Sequence, residues 1–183
     1  MHPTASIHVR VAELEEFLGP FYAQKDMMHS LSHIRRFLKT ATSLSRKHSA
    51  NNEILTYAAY VHGIDQGKHG RSLARFLQSQ GLEDGNVARI LLVARESQTE
   101  SKPKTVEGTI LHDAHLIEGG RTFLVVKLLV TGAQLGESLG EIIDRFEKKV
   151  DGKFKCYLPE TERLYSEKER FARGFFQDLK RSL

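Results

Sequence analysis

Histidine is the residue type in this chain whose placement could do chemistry. His29 and His33 lie four residues apart, His62 closes an apolar run, and His112 and His115 bracket Asp113-Ala114. Ile54, Ala58 and His62 recur every four residues with Leu55 and Ala59 near the same side, so the stripe that carries His62 faces a core. A neutral imidazole at the buried end of a helix can ligate a metal. It serves equally as a core histidine satisfied by one carbonyl, and for an isolated histidine that plainer role carries more weight. Here His62 has clusters on both sides of it.

In order, spacing and flanking residues, the three clusters resemble the HD-domain superfamily of metal-dependent phosphohydrolases. Asp26-Met-Met-His29-Ser-Leu-Ser-His33-Ile-Arg35-Arg36 is similar to that family's first motif. Ala58 to Asp65 is similar to the second, reading His-Gly-Ile-Asp where His-Asp-Ile-Gly is usual. Glu107 to Glu118 is similar to the third, reading Asp-Ala-His where Asp-Ala-Asp is usual. The likeness spans roughly residues 25 to 120 and rests on the motifs jointly, since each alone is a weak signal. It implies an all-α fold and a divalent metal held by His33, His62 and His115.

Both departures alter the metal chemistry. Gly63 removes the carboxylate beside His62, and His115 offers one nitrogen where the family has a charged oxygen. Three imidazoles form a neutral donor set that suits zinc, manganese, iron or nickel better than magnesium. Asp65 and Asp113 are available to compensate. On a helix Asp113 falls with Val106, Ile110 and Ile117, whereas His115 points with Leu111 to nearly the opposite side. Periodicity favours Asp113 as the ligand and motif alignment favours His115, so both stand as candidates.

Around this centre, the first motif supplies His29 and Arg36 as candidate substrate-binding residues. The stretch Gly63 to Arg71 reads as a glycine- and cation-rich loop in which backbone N–H groups, Lys68, His69 and Arg71 would meet an anion. A flexible turn with a solvated lysine is an equal reading. Asp65 and Glu96 are the candidates for taking a proton from water, with an exposed helix-end role the commoner one for Glu96.

The elements that must position these residues follow from helical periodicity. After a loose leader over residues 1–8, whose His2 and His8 read as surface residues, a packing helix runs from about Val9 to Leu18 and stops at Gly19-Pro20. The first-motif helix covers roughly Ser30 to Lys47, burying Leu31, Ile34, Phe37, Leu38, Ala41 and Leu44. Asn51 or Asn52 caps the helix that ends at His62. Further helices run from Ser72 to Gly81, from Glu83-Asp84 to Glu96, and from near Thr105 through the third motif. Arg121 to Thr131 is rich in β-branched residues but reads as a buried helix, since no partner strand presents itself. Ser138 caps Leu139 to Lys149, and a last helix from Glu160 to Leu183 turns Leu164, Phe171, Phe175 and Leu179 to the core, or in a second reading to a homodimer partner. The expected architecture is an all-α, single-domain HD-domain-like bundle over residues 1–183, with motifs at about 25–120 and C-terminal helices over about 121–183.

Composition bounds the rest. A chain of 183 residues, 40% hydrophobic, buries one substantial core. Its single cysteine, Cys156, excludes an internal disulfide. No stretch approaches 18 consecutive apolar residues and no signal peptide opens the chain, which points to a cytoplasmic protein with no membrane partner. The net charge of +4 is spread along the chain, so nucleic acid is not an expected partner, while a basic rim would attract an anionic substrate. The leading functional expectation is a metal-dependent phosphohydrolase that acts on a nucleotide or other small phosphate ester through a metal-activated water. The alternatives are an inactive HD-fold protein, with no metal, that binds a nucleotide or protein partner, and an iron-dependent HD-fold oxygenase.

Overall fold

The computed structural model describes residues 5–183, with side chains from residue 11 onward. The described residues form nine helices and no strand: α1 (Ala5–Ala23), α2 (Leu31–Ser45), α3 (Asn52–Val61), α4 (Gln66–Ser79), α5 (Asp84–Glu96), α6 (Val106–Ile117), α7 (Phe123–Gln134), α8 (Leu139–Lys149) and α9 (Pro159–Ser182). The leader expected at the start, with His2, lies largely outside the described residues, and the chain is already helical at Ala5.

Local capping chemistry sets most boundaries. The Asn51 side chain accepts from Glu53 N and Ile54 N at the start of α3, and Thr105 accepts from Gly108 N at the start of α6. Ser138 and Glu141 form a reciprocal capping box on α8. Two boundaries depart from expectation. α1 continues through Gly19-Pro20 to Ala23; the proline forfeits one backbone bond, while buried Leu14, Leu18 and Tyr22 hold the helix against the core on both sides of it. The supposed loop Gly63 to Arg71 is a short turn followed by α4. Asp65 accepts from Gly67 N and Lys68 N, and this cap starts a helix despite the glycines at 67 and 70.

α1 to α6 enclose the main core, built on Ile34, Phe37, Ala58, Leu73, Ile90 and Ile110, with α3 laid on α5 and α2 on α6. A second cluster, Val125, Leu128, Ile142, Phe146 and Phe176, joins α7, α8 and α9. α6 touches both groups and is buried nearly all round, so it has no single apolar stripe to read. α9 buries Thr161, Tyr165, Lys168, Ala172 and Phe176, while Leu164 and Phe175 are exposed. The expected stripe is displaced because two of the truly buried positions are polar and satisfied by hydrogen bonds. No helix among the described residues is long and apolar enough to cross a membrane.

Gly108 of α6 lies against Glu96 at the end of α5. A Cβ there would overlap the Glu96 carboxylate and stand 2.8 Å from both Glu96 Cβ and Thr105 Oγ1. Gly108→Ala is therefore expected to cost about 1–3 kcal/mol of stability as an overpacking change, seen as a lower urea midpoint with unchanged slope.

Candidate metal centre

His33 projects from the first turns of α2, His62 is the residue that ends α3, and His115 lies in the last turn of α6. One ring nitrogen from each lies within 4.8 Å of the others. His33 and His62 are buried and His115 nearly so. The α3 terminus is pinned by buried Tyr22, whose hydroxyl contacts the carbonyls of both Tyr60 and His62 at 2.7 and 2.6 Å. Gly63 then turns the chain away at a φ of 74°, the left-handed region where a side chain is strained.

The outward nitrogens settle the tautomers. His33 Nδ1 meets the Glu118 carboxylate at 2.7 Å, His62 Nδ1 meets the Ser97 hydroxyl at 2.7 Å, and His115 Nδ1 meets the Ser97 carbonyl at 3.3 Å. Ser97 gives its own proton to the Ala94 carbonyl at 2.8 Å, so its oxygen accepts from His62. Each Nδ1 thus carries a proton, and each Nε2 keeps its lone pair. This is how metal-binding histidines are held in place by an outer layer of acceptors. Burial, with neighbouring positive groups second, keeps His62 and His115 well below the ordinary histidine range, so both rings stay neutral. Burial likewise lowers His33, against the opposing pull of Glu118.

Lys127 of α7 brings its ammonium to 3.3 Å from His115 Nε2. Glu118 ties His33 to Arg36, whose Nε donates to it at 2.8 Å. Neither Lys127 nor Glu118 was among the residues singled out from sequence. A lysine within the apolar run Phe123 to Val130 was the signal for the first, because burying a charge there is costly. His62 and His115 line a cavity of about 640 Å³ together with Lys25, Asp26, His29 and Lys127.

The structure separates the other candidates from this cluster. Asp113 turns from α6 toward α9, where it accepts from Tyr157 N, Leu158 N and Thr161 Oγ1 at 2.9, 2.7 and 2.6 Å. Glu96 is buried against the α6 start, accepting from Lys104 N and Thr105 N. Asp65 is the exposed cap of α4. Lys68 and Arg71 line a different, shallow depression with Arg75 and Phe17, and His69 packs edge-on to Phe21. Arg36 acts on Glu118. Of the expected substrate contacts only His29 lines the cavity, with Nδ1 held at 2.7 Å by Asp26.

Lys168 of α9 is buried at the cavity wall and donates to the carbonyls of Leu116 and Glu118, closing the end of α6. Burial first, and the charge of Lys127 second, push its amine down to about 7 from 10.5. Below that value the folded and unfolded states both carry the proton, and the full cost of burying it is borne. From about pH 7 to 10.5 the unfolded chain binds more protons, so stability rises with pH. The neutral amine still has donors for both carbonyls. Lys168→Met is expected to flatten that rise, measured by urea unfolding from pH 6.5 to 10.

An all-helical chain that gathers histidines from α2, α3 and α6 in this way has the fold of HD-domain proteins. It is similar to an HD-superfamily hydrolase from Bacillus thuringiensis, at 16% identity over 96% of this chain and 97% of that one, with a TM-score of 0.73. It is also similar to Bacillus subtilis YpgQ in complex with ADP, at 16% identity over 94% and 97%, with a TM-score of 0.72. A Lactobacillus plantarum protein matches at 14% identity over 100% and 98%, with a TM-score of 0.81. No family model and no curated protein matches the sequence.

Proposed function

We propose that the chain is a metal-dependent phosphohydrolase of the HD type acting on a small, nucleotide-like phosphate ester. The observation that carries this reading is the convergence of three neutral imidazoles, each with its Nδ1 occupied, beside a cavity lined by Lys25 and Lys127. The donor set fits a transition ion such as zinc, iron, nickel or manganese, held by His33, His62 and His115. When bound, such an ion lowers the pKa of its water to about 7 and offsets charge on phosphoryl oxygens. The remaining work falls to the chain's own side chains. Lys127 and Lys25 face the cavity as cations for a phosphate. His29, oriented by Asp26 through Nδ1, keeps Nε2 free to receive and return a proton. The ADP complex of YpgQ supports a nucleotide-like ligand. The test is metal analysis of protein purified without chelator, followed by phosphate release from nucleoside mono-, di- and triphosphates and p-nitrophenyl phosphate with the metal found. Near-stoichiometric metal with turnover supports the reading. Metal-free protein that stays inactive after soaking with zinc, manganese, iron and nickel overturns it.

A further inference from the structure

Lys127 is a cation whose partner is an imidazole rather than a carboxylate. It sits half-buried within the apolar run of α7, and its one hydrogen bond among the described residues goes to His115 Nε2, at 3.3 Å. Of the acids that line the same cavity, Glu118 is taken up by His33 and Arg36, and Asp26 by the His29 ring. Taking an ammonium out of water with no carboxylate beside it is costly. The fold nonetheless aims this one at the nitrogen that a metal would need. An ammonium has three donors and no lone pair, so the ring nitrogen is the acceptor. That Nε2 has a single lone pair, and His115 Nδ1 already carries its proton against the Ser97 carbonyl. A lone pair that accepts from Lys127 cannot bind an ion at the same time. An ion placed among the three rings would also meet the like charge of the ammonium, with no carboxylate in the cluster to offset it.

We infer that Lys127 is an internal occupant of the metal centre, and that loading is an exchange in which the ion takes His115 Nε2 from the ammonium. The inference rests on the metal-centre part of the phosphohydrolase reading and adds what sets the affinity of that centre. Three buried imidazoles, oriented in advance by Glu118 and Ser97, would otherwise hold an ion tightly. Lys127 ligates nothing and holds that affinity down. When the ion arrives, the displaced ammonium remains on the wall of the cavity it already lines, where an anionic group is its natural partner. Lys25 makes the contrast. It lines the same cavity, but its ammonium donates to the Gly63 carbonyl at 2.7 Å and covers no ring nitrogen.

The test is the zinc affinity of the full chain, measured by competition with a chromogenic chelator at one pH and one ionic strength. Lys127→Met, with Lys127→Leu beside it, is expected to bind zinc about 10–100-fold more tightly than wild type, the range for no longer giving up a hydrogen bond from a charged donor. Neither variant should lower the melting temperature of the metal-free protein, because an apolar side chain suits that stretch of α7 better than an ammonium does. Lys25→Met removes the same charge from the same cavity without freeing a ring nitrogen, and its gain in zinc affinity should be clearly smaller. Unchanged affinity in the Lys127 variants, or an equal gain in Lys25→Met, overturns the exchange and leaves the three-histidine centre standing. Weaker zinc binding in the Lys127 variants also overturns it, by making the amine a ligand instead of an occupant. Zinc bound by none of the proteins sinks the metal centre and this inference with it. Zinc bound by the Lys127 variants alone supports the exchange and sinks the hydrolase reading for the wild-type chain, which its own lysine would then keep closed.

Discussion

His62→Ala is expected to leave the purified protein without bound metal and to reduce turnover by more than about 100-fold, beyond the 10–100-fold typical of disturbing only an outer-layer partner. His62 would supply one of three donors in a triangle of rings, its centroid 4.6 Å from that of His115 and 5.8 Å from that of His33, with 5.4 Å between those two. With no carboxylate in the cluster, two imidazoles have nothing to fall back on. A second readout needs no activity. Zinc at 100 times its dissociation constant stabilises a protein by about 2.7 kcal/mol, which for a domain of this size raises the melting temperature by about 5–10 °C. Wild type should show that rise and His62→Ala and His115→Ala should not. If the alanine variants respond to zinc as wild type does, the three-histidine site is wrong, whatever the fold.

The motif pattern made the cluster legible because its parts are local and ordered: a histidine in an early helical turn, one at a helix end, one in the next buried helix. What sequence could not choose was Asp113 against His115, and the reason is physical. α6 is buried on nearly every side, so opposite faces are both interior, and the periodicity that favours Asp113 does not tell which interior face meets the other histidines. The carboxylates that looked free for acid–base work were legible by type but not by use. Asp65 and Glu96 are engaged in short-range capping, which competes for any Asp or Glu near a helix start. Lys68 and Arg71 looked like loop cations because three glycines obscured the α4 start. Lys127, Glu118 and Lys168 escaped because their partners come from elements 12 to 85 positions away. Pattern reading finds who is buried, and only tertiary contact finds why a charge is buried there.

Asp113→Ala is expected to cost about 3–5 kcal/mol of stability, the range for stripping one partner from a buried charged network, while leaving zinc binding intact in the folded protein. α9 begins at Pro159 behind Leu158, a residue with no side-chain oxygen to cap it. Asp113 does the capping from another helix, its carboxylate taking Tyr157 N, Leu158 N and Thr161 Oγ1, with His112 Nδ1 2.9 Å from the other oxygen. A negative charge at that end also meets the positive pole of a 24-residue helix. Removing it orphans buried donors and loosens α9, which carries Phe176 into the second core cluster and Lys168 onto the end of α6. Asp113→Asn, which keeps an acceptor oxygen but not the charge, should fall between wild type and alanine. Urea unfolding gives the stability and the zinc-dependent melting shift gives the metal response. A variant that loses the zinc response while unfolding within about 1 kcal/mol of wild type, less than a single lost buried partner would cost, would put Asp113 in the metal shell and His115 outside it. The proposed centre would then rest on a carboxylate, and its preference for transition ions over magnesium would go with it.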